Sequence, residues 1–221
     1  MKDTKKTKYI FFTIPFYMIA TFSIAVYLFA EIHPRVLLAP EARLVLLGLF
    51  CVCAYIGSRM LCKRFTGSES QIMKIAFAIF FLLYLLLLLT LTLFDPMFGR
   101  ENGVRSFNFI PFATILNYGK AMFTQSMNAS AIVTNLLGNL VAFMPFALFL
   151  PMFFRKCEKY SVFLLTTAGS VMAIELLQLV LAVGSCDIDD LILNVFGAWV
   201  AFLILKIKPI NKLVNKLAFL W

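Results

Sequence analysis

Asp187, Asp189 and Asp190 crowd three carboxylates into four residues, directly ahead of an apolar run, and Glu175 lies twelve residues upstream inside another. A carboxylate near hydrocarbon costs several kcal/mol unless it is paired, hydrated or used. Three chemistries suit such a set. Glu175, Asp189 or Asp190 can act as a general base. The acids of the turn can offer oxygen ligands to Mg2+ or Ca2+. Asp189 and Asp190 can also cap the free amides of a helix start, which accounts for one of the three acids but not for all of them. Cys186 beside Asp187 is not an activated nucleophile, the single His33 is remote, and no phosphate-cradling glycine loop is present. These features count against an enzyme, and neither a cofactor nor a resident metal is expected.

Amides accompany the acids. Asn135 and Asn139 are four apart and share a helix face, as do Glu175 and Gln178, three apart. Asn194 follows Asp190 by about one helical turn. Glu175 lies about 18 Å along a helix from Asp187. A lone Asn in a membrane helix is ordinarily glue between helices, worth about 0.6 to 2 kcal/mol; several amides and carboxyls at one depth suggest a site. Asn108 and Arg105 precede them in a segment rich in aromatic residues, Ser106-Phe107-Asn108-Phe109-Ile110-Pro111-Phe112. Arg105 can face the carboxylates of the turn or grip a phosphate in bidentate fashion. The expected ligand-binding set is thus Arg105, Asn108, Asn135, Asn139, Glu175, Gln178, Asp187, Asp190 and Asn194.

The elements that must position these residues are membrane helices. The chain has 221 residues, is 62% hydrophobic and only 14% charged, and has a mean hydropathy of +0.92. This composition excludes an ordinary soluble domain. Apolar runs long enough to cross a bilayer are expected near 10–30, 44–62, 75–94, 131–154, 161–183 and 190–207, giving an all-α polytopic fold with about six transmembrane helices. The first run follows four lysines but is too long for a signal peptide and lacks a cleavage pattern, so it is read as a retained helix. Fourteen Lys and Arg fall on the side shared by both termini and five on the other, so both termini are expected in the cytoplasm.

The net charge of +9 is spread over four separate segments, as insertion requires, and does not indicate nucleic-acid binding. Contact of the basic tail with anionic lipid head groups is expected. The five cysteines, distributed across both sides, make no disulfide framework. Acids beside Cys186 should raise rather than lower its pKa. The external segment, about 95–130, is too apolar for a freely solvated loop and should lie in the outer head-group layer or fold over the helix mouths. Gly138, the pair Gly169 and Ala173, and the pair Gly197 and Ala201 favour close packing of the last three helices.

Taken together, Asn135-Leu-Leu-Gly-Asn139, Phe143-Met-Pro145-Phe146, Glu175-Leu-Leu-Gln178 and Asp187-Ile-Asp189-Asp190-Leu-Ile-Leu-Asn194-Val-Phe-Gly197 resemble the VanZ-like family of bacterial membrane proteins. Asn108-Phe-Ile-Pro111-Phe112 is similar to that family's external Pro-Phe segment. The resemblance covers about 95–205. Two departures stand out: Ala147 occupies a place where relatives often have Gly, and Gly184-Ser185-Cys186 replaces a segment that often holds Arg, leaving Arg105 as the candidate counter-ion. The chain divides into an amino-terminal three-helix segment at 1–94, a VanZ-like domain at 95–208 and a basic tail at 209–221. The resemblance implies a multi-pass protein of the bacterial cell membrane, associated in some relatives with lowered susceptibility to teicoplanin-type lipoglycopeptides. Its expected partners are membrane lipids and an amphiphile, either a lipid-linked cell-wall precursor or a lipoglycopeptide. Two rival classes remain open: an intramembrane enzyme acting on a lipid-linked substrate, and a small transporter.

Overall fold

The structure, a computed structural model, describes residues 2–33, 38–62, 69–94 and 104–218. Within them the chain forms α1 (Lys2–Ile32), α2 (Pro40–Cys62), α3 (Glu69–Phe94), β1 (Val104–Asn108), α4 (Ala113–Thr124), α5 (Ala129–Ala142), α6 (Phe146–Phe153), a 3-10 turn at Arg155–Glu158, α7 (Tyr160–Leu181), β2 (Val183–Asp187), α8 (Ile188–Lys206) and α9 (Lys208–Ala218). Six stretches are long and apolar enough to cross a membrane: Phe11–Ala30, Ala42–Cys62, Gln71–Leu93, Ala129–Phe153, Tyr160–Leu181 and Ile188–Lys206. Hydrocarbon offers no partner for backbone amides, so such runs must satisfy them internally as helices. The protein is a polytopic α-helical membrane protein.

Two compact units divide the chain, one formed by residues 1–82 with 215–221 and the other by 83–214. In the first, α1 and α2 pack through a polar contact, Tyr17 Oη to Ser58 Oγ at 2.9 Å. The ring of Tyr17 also lies against Gly57, where an added Cβ would come within 3.1 Å of it.

The second unit holds the acidic turn. Its fourth span is not a continuous helix, as the apolar run suggested, but breaks between α5 and α6 at Phe143-Met144-Pro145. Pro145 has no N–H to give the preceding turn. Phe146 N then donates to Phe143 O instead of continuing the α-helical ladder. The carbonyl of Ala142 loses its helical donor and accepts from Tyr84 Oη at 2.6 Å. A hydroxyl from α3 thus repairs a defect that would cost about 1 to 3 kcal/mol if left buried and unmet.

Helices α5 and α8 cross very closely. A Cβ placed on Gly197 would stand 1.7 Å from Leu140 O, so only glycine fits. Phe163 of α7 and Phe202 of α8 stack with centroids 4.2 Å apart, which ties α7 to the far end of α8. Gly169 meets nothing within 4 Å, so its expected close packing is not observed.

An expectation of helices and loops alone misses one element. β1 and β2 form a two-stranded parallel ribbon, with Asn108 opposite Asp187 and Phe107 opposite Cys186. Since β2 joins α7 to α8, the ribbon carries the aromatic segment to the acidic turn.

Candidate functional site

The ribbon ends where the polar network begins. Asp187 is the N-cap of α8, accepting from Asp189 N at 2.9 Å through Oδ1. The same oxygen accepts from Asn108 Nδ2 at 3.2 Å, and Oδ2 accepts from Thr114 Oγ1 at 2.5 Å. Asn108 is engaged through both ends of its amide, since Nδ2 also donates to Thr114 Oγ1 and Oδ1 accepts from Ile110 N.

Asp189, 1% exposed, reaches across to a different helix. Its Oδ1 accepts from Phe112 N at 2.5 Å, and its Oδ2 accepts from Thr114 N at 2.8 Å and Ile115 N at 3.1 Å. These are the orphan amides at the start of α4, whose own N-cap position, Phe112, supplies no capping side chain. Phe112 adopts the left-handed conformation, φ 64° and ψ 4°. For a non-glycine residue that costs about 1 to 2 kcal/mol. Charge-assisted bonds of about 1.5 to 3 kcal/mol each outweigh it, so the acid holds the turn in place.

Asp190 accepts from Asn139 Nδ2, joining α8 to α5, and its backbone carbonyl accepts from Asn194 Nδ2 at 2.8 Å. Glu175, 5% exposed, accepts from Asp187 N at 3.3 Å and so ties α7 to the start of α8. Capping therefore explains more of the acidic turn than the residue types alone suggest: Asp187 caps its own helix, Asp189 caps α4, and Asp190 meets an amide.

Not every expected residue joins this network. Asn135 Nδ2 donates to Ala131 O on its own helix at 3.1 Å. Gln178 Nε2 donates to Thr92 O of α3 at 2.8 Å, while its Oε1 and the Oδ1 of Asn194 are buried acceptors with no donor among the described residues. The side chain of Arg105 lies outside the described residues, and with it the expected counter-ion role. Thr114 carries no signal in the sequence, yet both its N–H and its hydroxyl bind the acids. Among the described residues no group of three His, Cys, Asp or Glu side chains converges to hold a metal ion. The acids of the turn instead diverge toward separate donors.

Above the network the side chains are apolar and exposed: Phe107 60%, Phe109 67%, Ile110 70% and Phe112 53%. Phe107 and Phe109 stack at 5.8 Å. Asp189 fastens the backbone at the end of this segment and Asp187 holds its Asn108 side chain, while the rings stand outward. Burial raises the Cys186 thiol above its usual range, and Glu175, Asp187 and Asp190 raise it further. Near neutral pH it is a protonated, weakly nucleophilic thiol, as expected from its acidic neighbours.

The family described as VanZ/LLP1 has a model that matches residues 81–209, more than half of the chain. No curated protein and no solved structure matches.

Proposed function

The chain belongs to the VanZ/LLP1 family, and from that premise we propose that it binds an amphiphile at the outer face of the bacterial cell membrane. One observation carries this reading: Phe107, Phe109, Ile110 and Phe112 are exposed on a turn whose Asn108 side chain is held by Asp187 and whose backbone is held by Asp189 at Phe112 and Thr114. An unfastened apolar loop would collapse or lose entropy on binding, whereas a fastened one presents hydrocarbon-accepting surface at little ordering cost. Asn139 with Asp190, and Glu175 with Asp187 N, tie the helices that support this turn. The ligand is a lipid-linked cell-wall precursor or a teicoplanin-type lipoglycopeptide. Capturing either one would lower susceptibility to that antibiotic class.

The test is binding of a lipoglycopeptide to the full-length protein in lipid nanodiscs. Phe107→Ser with Phe109→Ser should weaken binding by at least tenfold, since burying a large apolar side chain against a ligand is worth about 1.5 to 3 kcal/mol. Unchanged affinity in a folded variant would exclude the aromatic turn as the binding surface.

An enzymatic reading gains nothing specific, since the acids are occupied by backbone amides and Asn139. A transporter reading gains one observation, the break between α5 and α6. Transporters of the repeat type place matching breaks in two halves, and the other five candidate spans are unbroken helices among the described residues.

A further inference from the structure

Helix α8, itself a candidate span, ends at Lys206, and the chain turns at once: Ile207 is extended, with φ −61° and ψ 123°. Pro209 then sits in the first turn of α9, where a missing N–H costs nothing. The turn at Ile207 takes α9 off the line of α8, so α9 starts at the membrane boundary without prolonging the span. At eleven residues it is about 16 Å long, too short to cross hydrocarbon by itself.

Its sequence divides cleanly by face. Ile210, Leu213, Val214 and Leu217 recur at helical spacing on one side, and Lys208, Asn211, Lys212, Asn215 and Lys216 occupy the other. Leu213 remains 54% exposed and Leu217 43%, so the protein leaves that stripe partly uncovered. No acidic residue occurs after Asp190, so the lysines of this segment have no carboxylate neighbours in the tail.

The junction is also held. Lys206 Nζ donates to Glu158 O at 2.8 Å and lies over the rings of Tyr160 at 4.1 Å and Phe202 at 4.6 Å. This places the start of α9 beside the 3-10 turn, where Lys156 is exposed. Two basic segments far apart in sequence meet at one end of the second unit.

We infer that α9 is an interfacial helix that lies in the membrane surface, its apolar stripe among the upper acyl carbons and its lysines on anionic phospholipid head groups. Charge complementarity selects the occupant, because a lysine face beside a leucine stripe matches a negatively charged lipid surface rather than an acidic protein groove without hydrocarbon. The inference is independent of what the aromatic turn binds.

The experiment is native mass spectrometry of the full-length protein titrated with phosphatidylglycerol or with phosphatidylcholine. The wild type should retain phosphatidylglycerol preferentially. Each lysine removed should cost about fivefold in affinity for the anionic lipid. The variant with Lys208→Gln, Lys212→Gln and Lys216→Gln should therefore lose the preference while phosphatidylcholine binding is unchanged. Lys5→Gln, Lys6→Gln and Lys8→Gln, which remove equal charge at the other terminus, should leave the preference largely in place. Leu213→Ser with Leu217→Ser should weaken both lipids together. Retention of the wild-type preference by the α9 lysine variant, or an equal loss in the amino-terminal variant, would overturn the inference. Far-UV circular dichroism of each variant separates a binding effect from unfolding.

Discussion

Asp189 offers two oxygens to three backbone N–H groups, with Phe112 on one oxygen and Thr114 and Ile115 on the other. Asp189→Asn keeps the shape but turns one of those oxygens into a donor facing donors. The expected loss is about 2 to 4 kcal/mol, with earlier thermal unfolding in detergent and faster proteolysis between 104 and 115. Equal stability and equal cleavage would show that the turn is held by something else. Cys186 gives a second handle. Its raised pKa, set by burial and then by Glu175, Asp187 and Asp190, leaves less thiolate at any given pH than a free cysteine has. Alkylation read at its peptide should be slow at pH 7 and climb only as pH passes the usual thiol range. Glu175→Gln should speed it at neutral pH, and an unaltered rate would remove Glu175 from the neighbourhood. The sequence already placed Asn108, Asn139, Asp187 and Asp190 in one candidate set, because polar side chains in apolar runs are conspicuous, but it did not show which of them pair. The Asp189 contacts were hidden, since backbone amides have no residue type to read.

Helix crossings and breaks set the frame for those contacts. Gly197→Ala forces a Cβ into Leu140 O, where backbone rather than a flexible side chain must yield. It should destabilise the second unit by about 3 kcal/mol or more and lower the yield of folded protein. Gly169→Ala, with open space around it, should be neutral or mildly stabilising. Similar behaviour of the two variants in a thermal-shift assay would refute the close α5 and α8 crossing. Tyr84→Phe removes the hydroxyl that meets Ala142 O at the break and should cost about 1 to 2 kcal/mol in the same assay. The number and place of the spans were legible because hydropathy reports burial in lipid directly. The break at Pro145 was not, since neighbouring donors can absorb a proline in a membrane helix, and only the fold shows that Tyr84 supplies one. The strand pair was equally hidden, for Val104–Asn108 and Val183–Asp187 are five residues each and lack an alternating pattern.

The described residues hold six candidate spans, an aromatic turn held by Asp189 and a lysine-bearing α9. The distribution of Lys and Arg predicts that the turn and α9 face opposite sides of the membrane, with both termini in the cytoplasm. Reporter fusions at each terminus and within 95–103 check this, and an external carboxyl terminus would contradict it. Capture of an amphiphile by the fastened aromatic turn is decided by one comparison. Full-length protein in nanodiscs is titrated with an acylated lipoglycopeptide and with the same glycopeptide lacking its acyl chain, in the wild type and in Phe107→Ser with Phe109→Ser. The wild type should bind the acylated form at least tenfold more tightly, and the folded variant should lose that difference. Equal binding of both forms by the wild type, or an undiminished difference in the variant, would show that the turn does not capture the acyl chain.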